Sequence, residues 1–275
     1  MERMKPIGIF DSGFGGMTIL NAIRKHLPEY DYIYLGDNAR APYGSRSFDV
    51  VYEFTLQAVE YLFEQGVELV ILACNTASAK ALRTIQQKVL PVKYPNKRVL
   101  GVIRPSTEDI GNYTHTNHIG ILATEGTVRS ESYILEIHKY HSDVTVHQQA
   151  CPLWVSLIEE YDFESEEGRA IIKKDIQKLL SQSDAIDTII LACTHYPIIY
   201  DIIRQYVPEH IKIIAQGTII AEKLEDYLNR HAEIEEKLSK NGTLSVLTTE
   251  DFQIFDEKTT LIFGEKYHSK TIHLT

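Results

Sequence analysis

The sequence predicts an α/β protein made of two similar lobes, each built on a parallel sheet, with a cleft between them. Three observations support this fold class. Short runs of Ile, Val and Leu alternate with segments of helical period along the 275 residues, as in buried parallel strands joined by covering helices. Two pairs of look-alike segments recur in the same order. Polar and thiol side chains directly follow several of the predicted strands.

The predicted strands are short apolar runs bounded by turn or polar residues. In chain order they cover residues 5–10, 31–36, 67–73, 98–103, 118–123, 187–192 and 211–215. The amphipathic stretches between them predict helices over 46–65, 77–90, 127–138, 166–182 and 197–206. Beyond residue 244, the segments LSVLTT, TTLIFG and KTIHLT are predicted to add edge strands.

The look-alike segments predict an internal repeat. IGIFDSG (7–13) resembles IGILATEG (119–126), and LACNTAS (72–78) resembles LACTHYP (191–197). Two landmarks that recur in one order at almost equal separations indicate two similar α/β halves.

Composition and charge exclude several classes of protein. The formal net charge of −10 argues against nucleic-acid binding, which needs clustered Lys and Arg. No apolar run reaches the roughly 18 residues of a membrane span, and MERMKPIGIF lacks the apolar core of a signal peptide. Three cysteines far apart do not form a disulfide framework. We therefore expect a cytoplasmic protein with reduced thiols.

Reactive side chains stand at the ends of four predicted strands, where parallel sheets bind their ligands. The segments are Asp11-Ser12, Cys74-Asn75-Thr76, Thr124 to Thr127 and Cys193-Thr194-His195. Each cysteine precedes a helical pattern, and helix N-termini favour thiolates and carboxylates. A single cysteine after a strand is usually a packing residue, which is how we interpret Cys151. Two cysteines in matched contexts favour a shared function.

Some of these residues also have purely structural interpretations. Asp11 could cap a helix or hold a turn, and His195 could be a buried histidine with its hydrogen bonds satisfied. A zinc site from Cys74, Cys193 and His195 is disfavoured because no CxxC pair is present, so no metal is expected. A cysteine hydrolase would leave the second cysteine unexplained.

Two equivalent thiols facing one ligand suit the inversion of a stereocentre. One thiolate removes a proton from one face of the carbon, and the other thiol delivers a proton to the opposite face. A free cysteine, with a pKa near 8.5, can serve as either acid or base at neutral pH after modest tuning. Asp11 and His195 would be the tuning groups. No GxxxxGK[ST] loop is present and no lysine stands out for a pyridoxal Schiff base, so no cofactor is expected.

The chain resembles the glutamate racemases, in the cofactor-independent aspartate/glutamate racemase superfamily. The matching segments run in family order over residues 5–217: FDSGFGG (10–16), APYGSRS (41–47), ACNTAS (73–78), GILATEGTVRS (120–130), CPLWVSLIEE (151–160) and CTHYP (193–197). The resemblance implies interconversion of L- and D-glutamate for peptidoglycan, an active site between the lobes and a homodimer. It also supports lobe bounds of 1–98 plus 208–275 for the first lobe and 99–207 for the second.

The resemblance assigns roles residue by residue. Cys74 and Cys193 would be the catalytic acid/base pair, with Asp11 and His195 assisting. Glu159 would be an auxiliary near His195. The residues that would hold the substrate or tune the thiols are Asp11, Ser12, Tyr43, Gly44, Asn75, Thr76, Thr124, Thr127, Thr194 and His195.

The chain also departs from the family pattern, and alternatives stay open. Ser156, Arg104-Pro105 and Ala215-Gln216 replace residues that are more usual there, which leaves dimer contacts and substrate tuning in doubt. The nearest rival function is a racemase for aspartate or a hydantoin. A non-catalytic two-lobed protein that binds a small acid is a rival from another class.

Overall fold

The computed structural model describes residues 5–274. Its strands are β1 (Ile7–Asp11), β2 (Tyr32–Gly36), β3 (Leu69–Leu72), β4 (Arg98–Gly101), β5 (His118–Ala123), β6 (Thr145–Ala150), β7 (Thr188–Ala192), β8 (Lys212–Ala215), β9 (Leu244–Thr248) and β10 (Ser269–Thr271). Its α-helices are α1 (Met17–His26), α2 (Phe48–Glu64), α3 (Asn75–Lys80), α4 (Leu82–Thr84), α5 (Leu90–Lys93), α6 (Ile103–Thr107), α7 (Glu125–Arg129), α8 (Ser132–Tyr140), α9 (Trp154–Glu159), α10 (Glu166–Leu180), α11 (Tyr200–Tyr206), α12 (Gly217–Arg230), α13 (Ala232–Glu235) and α14 (Phe252–Phe263). Short 3₁₀ turns cover Asn38–Arg40, Ile110–Asn112 and Tyr196–Ile199, and a π-helical turn covers Ile85–Val89.

The strands form two parallel sheets of the same design. The six-stranded sheet has the order β10-β9-β2-β1-β3-β4, and the four-stranded sheet has the order β6-β5-β7-β8. The run β2-β1-β3-β4 thus matches β6-β5-β7-β8, with β1 equivalent to β5 and β3 equivalent to β7. This is the correspondence that the internal repeat predicts. The predicted fold of two parallel-sheet α/β lobes is confirmed.

The central strands are continuous apolar runs because helices cover both of their faces. Every residue of β1 (IGIFD) and of β7 (TIILA) is buried. One buried cluster extends across both lobes and includes Ile71 of the first sheet, Leu191 of the second sheet, Phe14 after β1 and Trp154 of α9. Burying each such side chain stabilises the folded state by about 1.5–3 kcal/mol. Because the cluster is continuous, the two sheets share one core.

The chain passes between the sheets twice, after β4 and after β8. Helix α12 follows β8 of the second sheet and packs against α1, which covers the first sheet. The contact is close: a β-carbon at Gly217 would lie 2.9 Å from the β-carbon of Ala22. After α13 the chain pairs β9 with β2 in the first sheet.

The lobe bounds of 1–98 plus 208–275 and 99–207 stay a prediction, but sheet membership sets the crossings a few residues later. Strand β4 in the first sheet extends past residue 98, and β8 in the second sheet begins after residue 207. The physical reason is that β4 and β8 each complete their pairing at the edge of one sheet before the chain crosses to the other sheet.

The C-terminal segment differs from its prediction. TTLIFG was expected to be a strand, but it completes helix α14, which Asp251 caps at its N-terminus and the left-handed Gly264 ends. Only Ser269–Thr271 of the last segment forms a strand, at the edge. LSVLTT does form a strand, yet it lies inside the sheet between β2 and β10. The predicted strand KTIHLT ends at residue 275, which lies outside the described residues.

Two predicted helices are interrupted and one strand was not predicted. The helix expected over 77–90 breaks into α3, α4 and a π-helical turn. The helix expected over 127–138 divides at Glu131, whose φ of 53° is left-handed. Strand β6 reads TVHQQA and forms an edge of the second sheet, where polar side chains can face water.

Candidate active site

The two cysteines in matched contexts line one cavity between the sheets. Cys74 follows β3 of the first sheet and Cys193 follows β7 of the second, and their exposed fractions are 5% and 6%. The cavity has a volume of about 20 Å³. It is lined by Ser12, Pro42, Tyr43, Gly44, Cys74, Asn75, Thr76, Thr124, Val155, Cys193, Thr194 and His195. Because the thiols come from different sheets, they reach this cavity from different lobes.

Cys74 is held as a protonated thiol by its surroundings. It caps helix α3, where its Sγ accepts a hydrogen bond from the Ala77 N–H at 3.4 Å. The same Sγ donates to Ser12 Oγ at 3.4 Å. Burial and the nearby carboxylate of Asp11 raise the pKa of Cys74 to about 12, although the two hydrogen bonds act in the opposite direction.

Cys193 has a basic partner instead. Its Sγ lies 4.0 Å from Nδ1 of His195, and His195 Nε2 lies 3.0 Å from Oε1 of Glu159. Burial alone would lower the pKa of His195, but its hydrogen bonds with Cys193 and Glu159 raise that pKa to about 10. The pKa of Glu159 is lowered by His195, against the effect of burial. This arrangement can hold an imidazolium between a carboxylate and a thiolate.

Asp11 lies between the two cysteine segments, and within residues 5–274 its carboxylate makes no hydrogen bond to either cysteine sulfur. Its Oδ2 accepts from the Gly13 N–H at 3.0 Å, and its Oδ1 accepts from Thr194 Oγ1 at 3.2 Å. Burial raises the pKa of Asp11, against the attraction of His195. Asp11 therefore acts on Cys74 through its charge and on Thr194 through a hydrogen bond.

Hydroxyl groups meet across the junction of the lobes. Thr76 Oγ1 lies 2.9 Å from Thr124 Oγ1 and 3.4 Å from Thr127 Oγ1. The carbonyl of Gly44 accepts from the Gly126 N–H at 2.7 Å. A β-carbon at Gly44 would lie 2.9 Å from the β-carbon of Thr124, so glycine permits this close approach.

Tyr43 is fixed by a carboxylate that sequence reasoning missed. Its hydroxyl donates to Asp37, a buried residue directly after β2, and burial together with Asp37 raises the pKa of Tyr43 well above its usual range. Arg40 Nε binds both oxygens of Asp37, at 2.7 and 3.0 Å. The signal was available, because an acidic residue at the carboxyl end of a strand is the same pattern that singled out Asp11.

The structure thus brings the predicted site residues together in two layers. Ten of them line the cavity: Ser12, Tyr43, Gly44, Cys74, Asn75, Thr76, Thr124, Cys193, Thr194 and His195. Asp11, Thr127 and Glu159 lie behind this lining and contact it through hydrogen bonds. Pro42 and Val155 also line the cavity and were not predicted. Cys151 is buried away from this lining, with its Sγ 3.7 Å from the Gln149 carbonyl.

Within residues 5–274 no group of three or more His, Cys, Asp or Glu side chains is placed to share a metal ion. None of the helices in the same range is long and apolar enough to cross a bilayer.

Comparison with known proteins identifies the family. Residues 17–224 match the Asp/Glu/Hydantoin racemase family. The chain belongs to this family. A glutamate racemase of Bacillus cereus is 36% identical over 96% of this chain and 95% of its own length. The structure of glutamate racemase isoform RacE1 from Bacillus anthracis superposes with a TM-score of 0.89 at 30% identity, covering 99% of this chain and 98% of that one. The glutamate racemase of Francisella tularensis, solved with D-glutamate, has a TM-score of 0.84 at 30% identity over 99% and 98% of the two chains.

Proposed function

We propose that the protein is a glutamate racemase, an isomerase that interconverts L- and D-glutamate and supplies the D-form for peptidoglycan. The observation that carries the proposal is the pair of buried thiols, one from each sheet, lining a single cavity. The full-length similarity to glutamate racemases favours glutamate over aspartate as the substrate.

The proposed reaction moves one proton from carbon to sulfur and another from sulfur to carbon. A thiolate removes the α-proton of one enantiomer and becomes a thiol, which leaves a carbanion stabilised by the adjacent carboxylate. The thiol on the opposite face then protonates the carbanion and becomes a thiolate. Ser12, Thr76 and Thr194 also line the cavity, and their hydroxyl groups would donate to the carboxylate that takes up this charge.

The environments of the thiols suggest how the resting enzyme divides the roles. The raised pKa of Cys74 makes it the proton donor at rest. Cys193, whose Sγ lies 4.0 Å from Nδ1 of His195, would be the base in this direction, with the imidazole beside it to assist proton transfer. In the reverse direction the roles exchange, with Asp11 and His195 tuning the two sulfurs.

Exchange of the α-hydrogen in D₂O tests the proposed function directly. Starting separately from L- and D-glutamate, we expect the product enantiomer to carry deuterium at the α-carbon, because the proton comes from a thiol in exchange with solvent. Aspartate run in parallel should turn over far more slowly. Binding of glutamate without any exchange would instead support the non-catalytic binding protein, and faster turnover of aspartate would support the rival substrate.

Single cysteine variants test the paired scheme. Cys74→Ala and Cys193→Ala should each reduce racemisation by at least about 10³-fold, since each removes a group that must take or give a proton. Cys151→Ala is the matched control and should retain racemisation, since Cys151 does not line the cavity. Near-normal racemisation by either active-site variant would refute the two-thiol mechanism.

We further propose a cytoplasmic location and a homodimer. The mechanism requires reduced thiols, and the chain's three cysteines are free, a state that the cytosol maintains. The homodimer rests on the family resemblance. Sedimentation of the purified protein would test it.

A further inference from the structure

Three buried side chains form a closed ring of hydrogen bonds next to Cys74. Asn75 Nδ2 donates to Gln216 Oε1 at 2.8 Å, and Gln216 Nε2 donates to the Tyr133 hydroxyl at 2.8 Å. The Tyr133 hydroxyl donates to Asn75 Oδ1 at 2.6 Å, which closes the ring. The exposed fraction of each residue is at most 2%. Because every member both gives and accepts one bond, the ring strengthens cooperatively.

The surroundings fix the direction in which the ring runs. Gln216 Nε2 also lies 2.7 Å from Ser106 Oγ and 3.4 Å from the Val102 carbonyl. A rotated Gln216 amide would turn its oxygen toward that carbonyl, which cannot donate. The nitrogen therefore faces Val102, the Gln216 oxygen faces Asn75, and the Asn75 nitrogen must point toward Gln216.

The ring gathers the parts of the fold that connect the lobes. Asn75 begins α3 after β3, whereas Tyr133 lies in α8 after β5 of the second sheet. Gln216 and Val102 stand in the two segments where the chain crosses between the sheets. The orientation of the Asn75 amide is thus set by residues of both lobes and both crossings.

We propose that Tyr133 and Gln216 are positioning residues that hold the Asn75 amide with its second N–H toward the substrate. Asn75 lines the cavity, and within residues 5–274 its Nδ2 donates to no acceptor other than Gln216. That free N–H is suited to a carboxylate of the bound amino acid. The proposal rests on the proposed racemase function and adds the residues that aim one of its binding groups.

Tyr133→Phe tests the ring with the least change of shape. Loss of the hydroxyl leaves Asn75 Oδ1 without its donor, so the amide keeps only its bond to Gln216 and can tilt away from the substrate. Since a carboxylate contact made equally in ground and transition states affects binding alone, we expect KM for glutamate to rise about tenfold with kcat within about twofold. Gln216→Met is a second variant, which removes the other partner of Asn75, and should have the same effect.

Two controls separate positioning from a general structural role. Tyr32→Phe also removes a buried tyrosine hydroxyl, which donates to the Leu27 carbonyl away from the ring, and should leave KM unchanged. In an Asn75→Ala background, Tyr133→Phe should raise KM no further, because Tyr133 would act only through Asn75. Additive effects in this cycle, or equal behaviour of Tyr133→Phe and Tyr32→Phe, would overturn the inference.

The side-chain amide signal of Asn75 keeps this test independent of the proposed function. In ¹⁵N spectra of the unliganded protein, Tyr133→Phe should shift that signal and speed its exchange with water, whereas Tyr32→Phe should not. An unchanged Asn75 signal in Tyr133→Phe would overturn the positioning role even in an active racemase. If the wild-type protein did not turn over glutamate, the proposed function would be wrong. The Asn75 amide signal of Tyr133→Phe would still decide whether Tyr133 positions Asn75.

Discussion

At the scale of single residues, the two thiols are equivalent in sequence context but not in their partners. Cys74 has a hydroxyl and a backbone N–H as hydrogen-bond partners, near the charge of Asp11. Cys193 has the imidazole of His195, which is itself paired with Glu159. The repeated fold therefore supplies two similar positions for the thiols, and unlike neighbours surround them.

Glu159→Gln should expose this difference. Without the carboxylate, His195 loses one of the two partners that raise its pKa, so that pKa falls and the imidazole carries less positive charge beside Cys193. We expect kcat to fall about tenfold, since one pKa unit corresponds to about 1.4 kcal/mol. Alkylation of Cys193 by iodoacetamide, followed by peptide mass spectrometry, should slow at the same pH.

The neighbouring exposed carboxylate provides a matched control for this change. Glu160→Gln removes the same charge from the next residue, and both kcat and the alkylation rate of Cys193 should stay near wild type. If Glu159→Gln behaved like Glu160→Gln, Glu159 would have no part in preparing Cys193.

The sequence predicted cavity-lining residues where they follow strands, but it did not point to residues whose placement depends on tertiary contacts. Cys74 and Cys193 were recognisable because each combines a reactive group with a strand end. Tyr133 and Gln216 carry no such local mark, although the sequence flagged Gln216 as a departure from the family pattern. Their role appears only when α8 and the segment after β8 converge on Asn75.

At the scale of elements, one buried carboxylate fastens the returning chain to the first sheet. Asp31, just before β2, accepts from the Thr243 N–H at 2.9 Å and from the Thr243 hydroxyl at 2.6 Å. It also accepts from Asn241 Nδ2 at 2.7 Å. These bonds stand where β9 begins to pair with β2, and they lower the pKa of Asp31 against the effect of burial.

Asp31→Asn should destabilise the protein by about 2 kcal/mol near pH 7, because a charge-assisted network becomes a neutral one. Since folding lowers the pKa of Asp31, its contribution is fully present above its unfolded pKa of about 3.9. It is lost as the pH falls below that value toward the folded pKa. Urea unfolding of wild type and Asp31→Asn should therefore show that the difference in their free energies of unfolding shrinks as the pH falls from 5 to 3. This range is set by the unfolded pKa.

Asp184→Asn is the control for this prediction. Asp184 is exposed, and its replacement should change the free energy of unfolding by less than about 0.5 kcal/mol at every pH. A difference between Asp31→Asn and wild type that did not depend on pH would contradict the assignment of the effect to the carboxylate charge.

The elements that the sequence predicted best are those whose environment is uniform. Buried central strands such as β1 (IGIFD) and β7 (TIILA) are mostly apolar, so composition alone identifies them. Strand β6 is a partly exposed edge, and its TVHQQA sequence lacks that signal. The segment TTLIFG has strand-like composition, but the cap at Asp251 and the left-handed Gly264 place it at the end of α14. Local propensity was overridden there by the capping residues.

At the scale of the whole molecule, the described structure is closed around its site. A cavity of about 20 Å³ has room for about one water molecule, and glutamate is far larger. We therefore expect the lobes to separate to admit the substrate and to close around it less tightly than in this structure. The contacts that close them include the Gly126 N–H to Gly44 carbonyl bond and the packing of Gly44 on Thr124.

Gly44→Ala should hold the lobes apart. The added methyl would lie 2.9 Å from the β-carbon of Thr124 and 3.1 Å from its Cγ2, so one lobe must move away from the other. We expect KM for glutamate to rise about tenfold, the equivalent of about 1.4 kcal/mol lost from closure. Alkylation of Cys74 and Cys193 should become faster at the same time, because a more open cleft admits the reagent.

Weaker glutamate binding together with faster alkylation of the thiols distinguishes an opened cleft from simple destabilisation. Gly8→Ala creates a similar 2.9 Å contact with Val67 inside the first lobe, so it should lower stability without raising KM or exposing the thiols. If Gly44→Ala bound glutamate more weakly but its two thiols were alkylated no faster, Gly44 would act by contacting the substrate. The cleft would then open at another contact. Faster alkylation only in Gly44→Ala would locate the closing contact at the Gly44–Thr124 junction, the point where the two repeated halves meet over the paired thiols.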